Sequence, residues 1–212
     1  MKLVTAICVS IGFLLGVSSA QEKKPASETQ IREWIEQLAN ARSPRRYESP
    51  EDRLTKVERK SLEPVQAAFR NLTSHFRESL PFLIEHLHDK RFSYPREHPT
   101  SGVFYNQTVG DACHEIIQGK VLPTGLSFID SRDIGVWVTL PIDKDWYKDV
   151  SKMTLYEMQV DSIDRLLKAP RLPKVTAEQW EKGLAEVRKF REGFVRSGEP
   201  VDRTFGPPIE GK

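Results

Sequence analysis

The chain has 212 residues and a nearly balanced charge, with 32 lysines and arginines against 30 aspartates and glutamates and a formal net charge of +2. This balance excludes the global basic excess that attracts proteins to nucleic acid or to anionic lipid. Only two cysteines occur, which excludes a disulfide-rich scaffold and a multi-cysteine zinc site.

The first twenty residues are typical of a secretory signal peptide. Lys2 supplies a positive charge, a largely apolar run covers residues 3–17, and small side chains fill positions 18–20, where a signal peptidase acts. The apolar run of ~15 residues is shorter than the ~20 that cross a bilayer. We therefore predict cleavage after Ala20, export to the periplasm or the cell exterior, and no transmembrane span after removal.

Removal of the signal peptide changes the composition. Without residues 1–20 the chain keeps 192 residues, and the loss of Lys2 leaves 31 basic side chains against 30 acidic ones. Cys8 leaves as well, so Cys113 is the only thiol and no intramolecular disulfide can form. A chain of this size can bury a core without covalent staples, and the missing disulfides favour bacterial export.

Periodicity predicts a mainly α-helical fold for the mature chain. Apolar residues recur at spacings of three and four, most clearly from Leu62 to Phe76. Pro81 should restart a helix and Gly119 should end one, whereas Thr176 and Gln179 form a capping box. Helices are predicted at about 29–42, 49–62, 62–76, 82–87, 108–118, 152–168 and 177–196.

Four stretches lie outside this helical pattern. Residues 21–28 are a short polar leader, and residues 92–108 are predicted as a long loop. Residues 120–150 contain β-prone runs that predict either a small hairpin or an irregular excursion. The tail, residues 198–212, contains three prolines and is predicted to be loose. Residues 29–197 are predicted to form a single helical domain.

Two segments resemble parts of a HEAT-type helical repeat. Leu80-Pro-Phe-Leu-Ile-Glu-His-Leu-His-Asp89 is similar to the second helix of a repeat, and Val109-Gly-Asp-Ala-Cys113 is similar to the opening of the next one. The resemblance covers residues 62–118 and implies stacked helix pairs with a partner-binding surface; it implies no catalytic residue. The insertion at 92–108 is long for a repeat, and no repeat period recurs elsewhere. An irregular helical domain is the alternative prediction.

Cys113 and two histidines are the only candidates for catalytic chemistry. Cys113 and His114 are adjacent, and adjacent side chains on a helix point about 100° apart, so they cannot pair with each other as thiolate and imidazolium. His86 could approach Cys113 only through the fold. Cys113 shares an apolar helix face and is predicted to be a buried core thiol. The alternative is an exported hydrolase or thiol enzyme with its site around Cys113, His114 and His86.

No metal ion or cofactor is predicted. His86 and His88 diverge by about 200° on a helix, whereas a helical metal pair needs a spacing of three or four residues. Residues 143–149 lack the glycine and the closing glutamate of a calcium loop and are predicted to be solvated surface. The cluster Arg42-Ser-Pro-Arg45-Arg46 follows a helix, where cations complement the dipole, so it is not interpreted as a nucleic-acid site.

The loop at 92–108 carries four aromatic side chains: Phe92, Tyr94, Phe104 and Tyr105. Aromatic residues on a loop favour contact with a partner, but they can equally fold back over the core. The leading hypothesis is an exported, non-enzymatic binding or scaffolding module that contacts a partner protein through these four residues; an envelope-associated structural protein is a third option. The sequons at Asn71 and Asn106 would be glycosylation candidates in a eukaryote.

Overall fold

The structure is a computed structural model and describes residues 24–49, 53–97, 101–123, 142–171 and 175–207. The predicted signal peptide, its cleavage after Ala20 and most of the β-prone stretch lie outside these ranges. Helices dominate the described residues, accompanied by one two-stranded antiparallel sheet. The mainly α prediction with a small β element is therefore confirmed.

Most of the helices begin at a serine or threonine that caps them. In a capping box the hydroxyl accepts from the third backbone N–H of the helix, and the third side chain accepts from the cap N–H. Five helices have this arrangement, at Ser27, Thr55, Thr108, Thr154 and Thr176.

The elements are α1 (Glu28–Leu38), α2 (Lys56–Ser61), α3 (Glu63–Ser74), α4 (Phe76–Glu85), β1 (Phe92–Glu97), β2 (Phe104–Thr108), α5 (Val109–Val121), α6 (Lys144–Val150), α7 (Leu155–Lys168) and α8 (Ala177–Ser197).

Several predicted helix boundaries are wrong, including the end of α1, which lies at Leu38 and not at residue 42. Helix α2 begins after Thr55, and not at residue 49, because the capping box with Glu58 is formed there. Pro81 lies inside α4, where burial of neighbouring apolar side chains outweighs the hydrogen bond that proline removes. Gly119 lies inside α5, which continues to Val121 because that side chain is also buried.

Residues 92–97 and 104–108, predicted as parts of a long loop, form two paired antiparallel strands, called the hairpin below. Strand β1 pairs antiparallel with β2, with Pro95 opposite Asn106 and Glu97 opposite Phe104. The register shifts between Phe92 and Pro95. Burial along β1 does not alternate, and Pro95 cannot donate to a ladder, so the usual period-two signal of a strand is missing.

Helix α5 lies at the centre of the fold. It packs against α1, α3, α4, α7 and both strands. At its first turn, Gly110 permits close approach to the end of α4: its N–H donates to the Asp89 carbonyl at 2.9 Å, and a Cβ would clash with the Leu87 carbonyl. Its inward face is completely buried at Ala112, Cys113, Ile116 and Ile117.

Of residues 143–149, predicted to be solvated surface, the five charged ones are exposed, whereas Trp146 is buried. Asp143 caps α6 by accepting from the N–H groups of Asp145 and Trp146. Trp146 and Val150 then lie in the core on one face of this short helix. Among the described residues, no helix combines the length and the apolar composition needed to cross a bilayer.

Part of the tail beyond α8, which is predicted to be loose, contacts the helices through Val201 and Phe205; most of the other residues between 198 and 207 are exposed, and residues 208–212 lie outside the described ranges. Helix α8 ends at Gly198, whose φ of +69° lies in the left-handed region that favours glycine. The residues that follow, 199–207, are called the C-terminal strap below. Within it, Val201 bonds to Gln159, and Phe205 lies over Gly119. Sequence periodicity does not report such contacts because the strap is not helical.

Candidate binding cleft

The structure divides the four aromatic residues of the hairpin between core and surface. Tyr94 and Phe104 are buried, so the expectation that they offer a contact surface is wrong. Tyr94 packs edge-on against Phe69 of α3, with ring centroids 6.3 Å apart. Phe92 is half-buried, and Tyr105 is 40% exposed. Of the predicted contact residues, only Phe92 and Tyr105 remain accessible from outside.

The buried Tyr94 hydroxyl fastens the hairpin to α5. It donates to the Glu115 carboxylate, which also accepts from the Arg96 guanidinium at 3.1 Å. Burial and the neighbouring negative charge of Glu115 raise the pKa of Tyr94, so the phenol stays a neutral donor. This arrangement is structural, because it satisfies a polar atom that burial would otherwise leave without a partner.

An open cleft of about 710 Å³, called the hairpin cleft below, lies between the hairpin and the segment that links α1 to α2. Its volume falls in the range of sites that hold small molecules or peptide side chains. Its apolar side chains are Ala41, Pro44, Tyr47, Val57, Leu62, Phe92 and Pro95. Its polar side chains are Asn40, Arg42, Ser43, Arg45, Thr55, Glu58 and Ser61.

Contacts between distant parts of the chain hold the cleft walls in place. The Asn40 N–H donates to the Phe92 carbonyl at 2.8 Å, and the Asn106 side-chain amide donates to the Arg45 carbonyl at 2.9 Å. The Tyr47 ring lies 5.3 Å from that of Phe104, measured between centroids. The linker after α1 is therefore fixed to both strands, and the cleft is preformed.

Two arginines at the cleft have different surroundings. The Arg45 guanidinium lies 5.2 Å from the centroid of the Tyr47 ring and 3.6 Å from the Glu58 carboxylate. The Arg42 guanidinium has no hydrogen bond or ion pair with any residue in the described ranges. Arg42 thus presents an exposed cation, without a partner among the described residues, at the rim of a partly apolar cleft.

Glu58 stays ionised inside the cleft. Burial alone would raise its pKa, but hydrogen bonds from the Thr55 N–H and hydroxyl, followed by the positive charges of Arg45 and Arg42, lower it. Among its described lining residues, the cleft therefore contains one carboxylate and two guanidinium groups, whose summed charge is positive.

The candidate catalytic residues are not assembled into a site. Cys113 is completely buried on the inward face of α5, and burial raises the pKa of its thiol, which keeps it protonated. The His86 Nδ1 atom donates to the Phe82 carbonyl at 2.8 Å, and His114 lies half-buried beside Cys113 on α5. Within the described residues no hydrogen bond joins the thiol to either imidazole. The same residues contain no group of three or more histidine, cysteine or carboxylate side chains that could hold a metal ion.

A second groove, of about 520 Å³, lies along α7 and α8. Met153, Tyr156 and Val195 contribute its apolar surface. Its Asp161 and Asp164 are already paired with arginines, at 2.6 Å to Arg165 and through two hydrogen bonds to Arg191. These charges are satisfied within the fold, so the groove offers less to a ligand than the hairpin cleft does.

Sequence reasoning missed most of the hairpin cleft. Of its lining residues only Phe92 was proposed for partner contact, and Arg42 and Arg45 were interpreted as cations at a helix end. A usable signal was present: residues 42–60 hold seven basic side chains against four acidic ones, in a mature chain that is otherwise balanced.

No protein-family model, curated protein or solved structure matches this chain. The HEAT-type resemblance of residues 62–118 therefore stays a prediction, supported only by the residues that carry it.

Proposed function

We propose that the protein is an exported, non-enzymatic binding module that holds a segment of a partner protein in the hairpin cleft. The observation that supports this is a preformed cleft whose lining includes both Val57, which is 61% exposed, and Arg42, which has no partner among the described residues. Apolar surface in the middle with polar side chains at the rim is the usual composition of a protein-binding site. Tyrosine and arginine, as at Tyr47 and Arg45, are enriched where such sites contribute most to affinity.

A pair of valine substitutions tests the location of binding. Val57 lines the hairpin cleft and Val195 lines the groove of α7 and α8; both are exposed valines on helices. The mature chain is panned against a displayed library of short linear peptides, and dissociation constants are measured for the selected peptides in solution. Val57→Asn should raise Kd by about tenfold, because it removes one apolar side chain from the contact. Val195→Asn should leave Kd unchanged.

The opposite pattern would place the peptide in the α7–α8 groove, and equal effects of both substitutions would separate binding from the cleft altogether. Either result contradicts the proposal. Thermal midpoints of both variants serve as the control that the fold is intact.

Export is tested on the full chain. Expression in a bacterial host should yield a periplasmic or secreted product whose first residue is Gln21, read by N-terminal sequencing. A product that keeps Met1 and stays in the cytoplasm would contradict this part of the proposal.

Thiol labelling tests the enzymatic alternative. Cys113 should react with a maleimide only after denaturation, because its thiol is buried and protonated at neutral pH. Rapid labelling of the native protein would show an accessible thiolate and would restore the hypothesis of a thiol enzyme.

A further inference from the structure

We infer that the hairpin cleft binds an acidic peptide segment, in which a carboxylate pairs with Arg42 while a neighbouring apolar side chain packs against Val57 and Phe92. This inference rests on the binding role proposed above and names the chemistry of the ligand. Its support is the distribution of charge around the cleft and the pairing of the individual arginines.

Positive charge is concentrated in the segment that forms the cleft. Residues 42–60 have a formal charge of +3, whereas the whole mature chain has +1, so the rest of the chain is slightly acidic. A peptide that carries negative charge is attracted to this side of the molecule and repelled by the remainder. Charge complementarity therefore selects an acidic segment over a basic one.

Several arginines elsewhere on the surface are engaged by carboxylates of the fold. Arg91 forms ion pairs with Asp89 and Glu36, and Arg165 forms them with Asp161 and Asp149. Arg42 differs from these two, because no described residue accepts from its guanidinium. The exposed Arg70, Arg196 and Arg203 share this property, but Arg42 is the one of the four that lines the hairpin cleft. A guanidinium offers paired N–H donors that match the two oxygens of a carboxylate, so Arg42 can supply the bond that orients the ligand.

The apolar part of the cleft and the Glu58 carboxylate favour a peptide over a nucleic acid as the ligand. A polyanion needs a series of cations along its phosphates, but the described lining of the cleft has one unpartnered cation and a carboxylate that repels further negative charge. A peptide with a single acidic residue beside an apolar one fits both the unpartnered cation and the apolar surface. The carboxylate of the peptide reaches Arg42 at the rim, and its apolar side chain covers Val57.

The experiment uses peptides that the mature chain selects from the displayed linear library. Each peptide is synthesised in two forms, one with the selected sequence and one with every aspartate and glutamate replaced by its amide. Arg42→Gln should raise the Kd of an acidic peptide by about tenfold, the effect expected for one charge-assisted contact. Arg46→Gln is the matched control, because Arg46 is exposed, pairs with Glu48 and does not line the cleft; it should change Kd by less than about twofold. The amide form of the peptide should bind both Arg42→Gln and the unaltered chain with the same weakened affinity.

Three results would overturn the inference. If the selected peptides lack acidic residues, or if Arg42→Gln binds acidic peptides as tightly as the unaltered chain, the ligand is not recognised through its carboxylate; continued sensitivity to Val57→Asn would then leave the binding role intact. If Val57→Asn weakens the binding of none of the selected peptides, the proposed binding role and the inferred ligand chemistry are both wrong.

Discussion

Two cations of this protein lie in opposite surroundings. Lys120 of α5 is 2% exposed, and its ammonium group pairs with Asp202 of the C-terminal strap. Arg42 lies at the surface of the hairpin cleft without a partner among the described residues. A buried charge is costly unless it is paired, whereas an exposed charge is satisfied by water. The comparison separates a charge that is part of the fold from one that is available to a ligand.

A second buried polar side chain beside the C-terminal strap has hydrogen-bond partners for both its donor and its acceptor atoms. Gln159 of α7 donates from Nε2 to the carbonyls of Lys120 and Val201, at 2.7 and 2.8 Å, and its Oε1 accepts from the Val201 N–H at 3.0 Å. Phe205 then covers Gly119 and meets Phe69 edge-on, with centroids 5.8 Å apart. The strap is therefore attached to the core through Val201, Asp202 and Phe205, while the hairpin cleft keeps open surface.

The largest effect is expected inside the hairpin. Phe104 is buried against Tyr47, so Phe104→Ala should lower the free energy of unfolding by about 3–5 kcal/mol. The neighbouring Tyr105→Ala should lower it by less than about 1 kcal/mol, because that side chain is 40% exposed. Urea unfolding measures both. Equal losses would show that the hairpin does not divide its aromatic residues between core and surface.

The next effect tests the strap. Gln159→Met keeps the side-chain length but leaves two carbonyls and one N–H without their hydrogen bonds. The free energy of unfolding should fall by about 2–4 kcal/mol. Gln66→Met on α3 is the control, since Gln66 makes no side-chain hydrogen bond with a described residue. Similar stability of the two variants would contradict an anchoring role for Gln159.

A smaller effect distinguishes the two members of the strap ion pair. Asp202→Asn should lower the free energy of unfolding by about 1–2 kcal/mol, because it leaves the buried Lys120 ammonium without its carboxylate. Lys120→Met removes the buried charge itself and should lower stability less. If Lys120→Met proves the more damaging change in urea unfolding, the ion pair itself stabilises the strap.

The smallest effect is expected at the cleft. Arg42→Gln should change the free energy of unfolding by less than about 0.5 kcal/mol, because the guanidinium has no described partner to lose. The contrast with Asp202→Asn is the direct test of the comparison between the two cations. A loss comparable to that of Asp202→Asn would assign Arg42 to the fold and not to a ligand.

The burial of Cys113 illustrates what could be predicted about the candidate site from sequence. Its position on the apolar face of a helix, beside Ala112 and one turn before Ile116, predicts a core thiol, and the structure confirms that it is buried. The hairpin cleft could not be found in the same way. Its walls come from residues 40–47 and 92–95, which are brought together by the bond between the Asn40 N–H and the Phe92 carbonyl.

The sequence by itself determined the mainly helical class, the stripe of α3 and the capping box that starts α8. These features depend on residues three or four apart, so local sequence carries all the information they need. Only the tertiary structure decided the hairpin, the strap and the cleft. Gln159 meets Val201 across 42 residues, and Lys120 meets Asp202 across 82. Such pairs depend on how the helices pack, because no local pattern specifies which distant backbone will lie beside a given side chain.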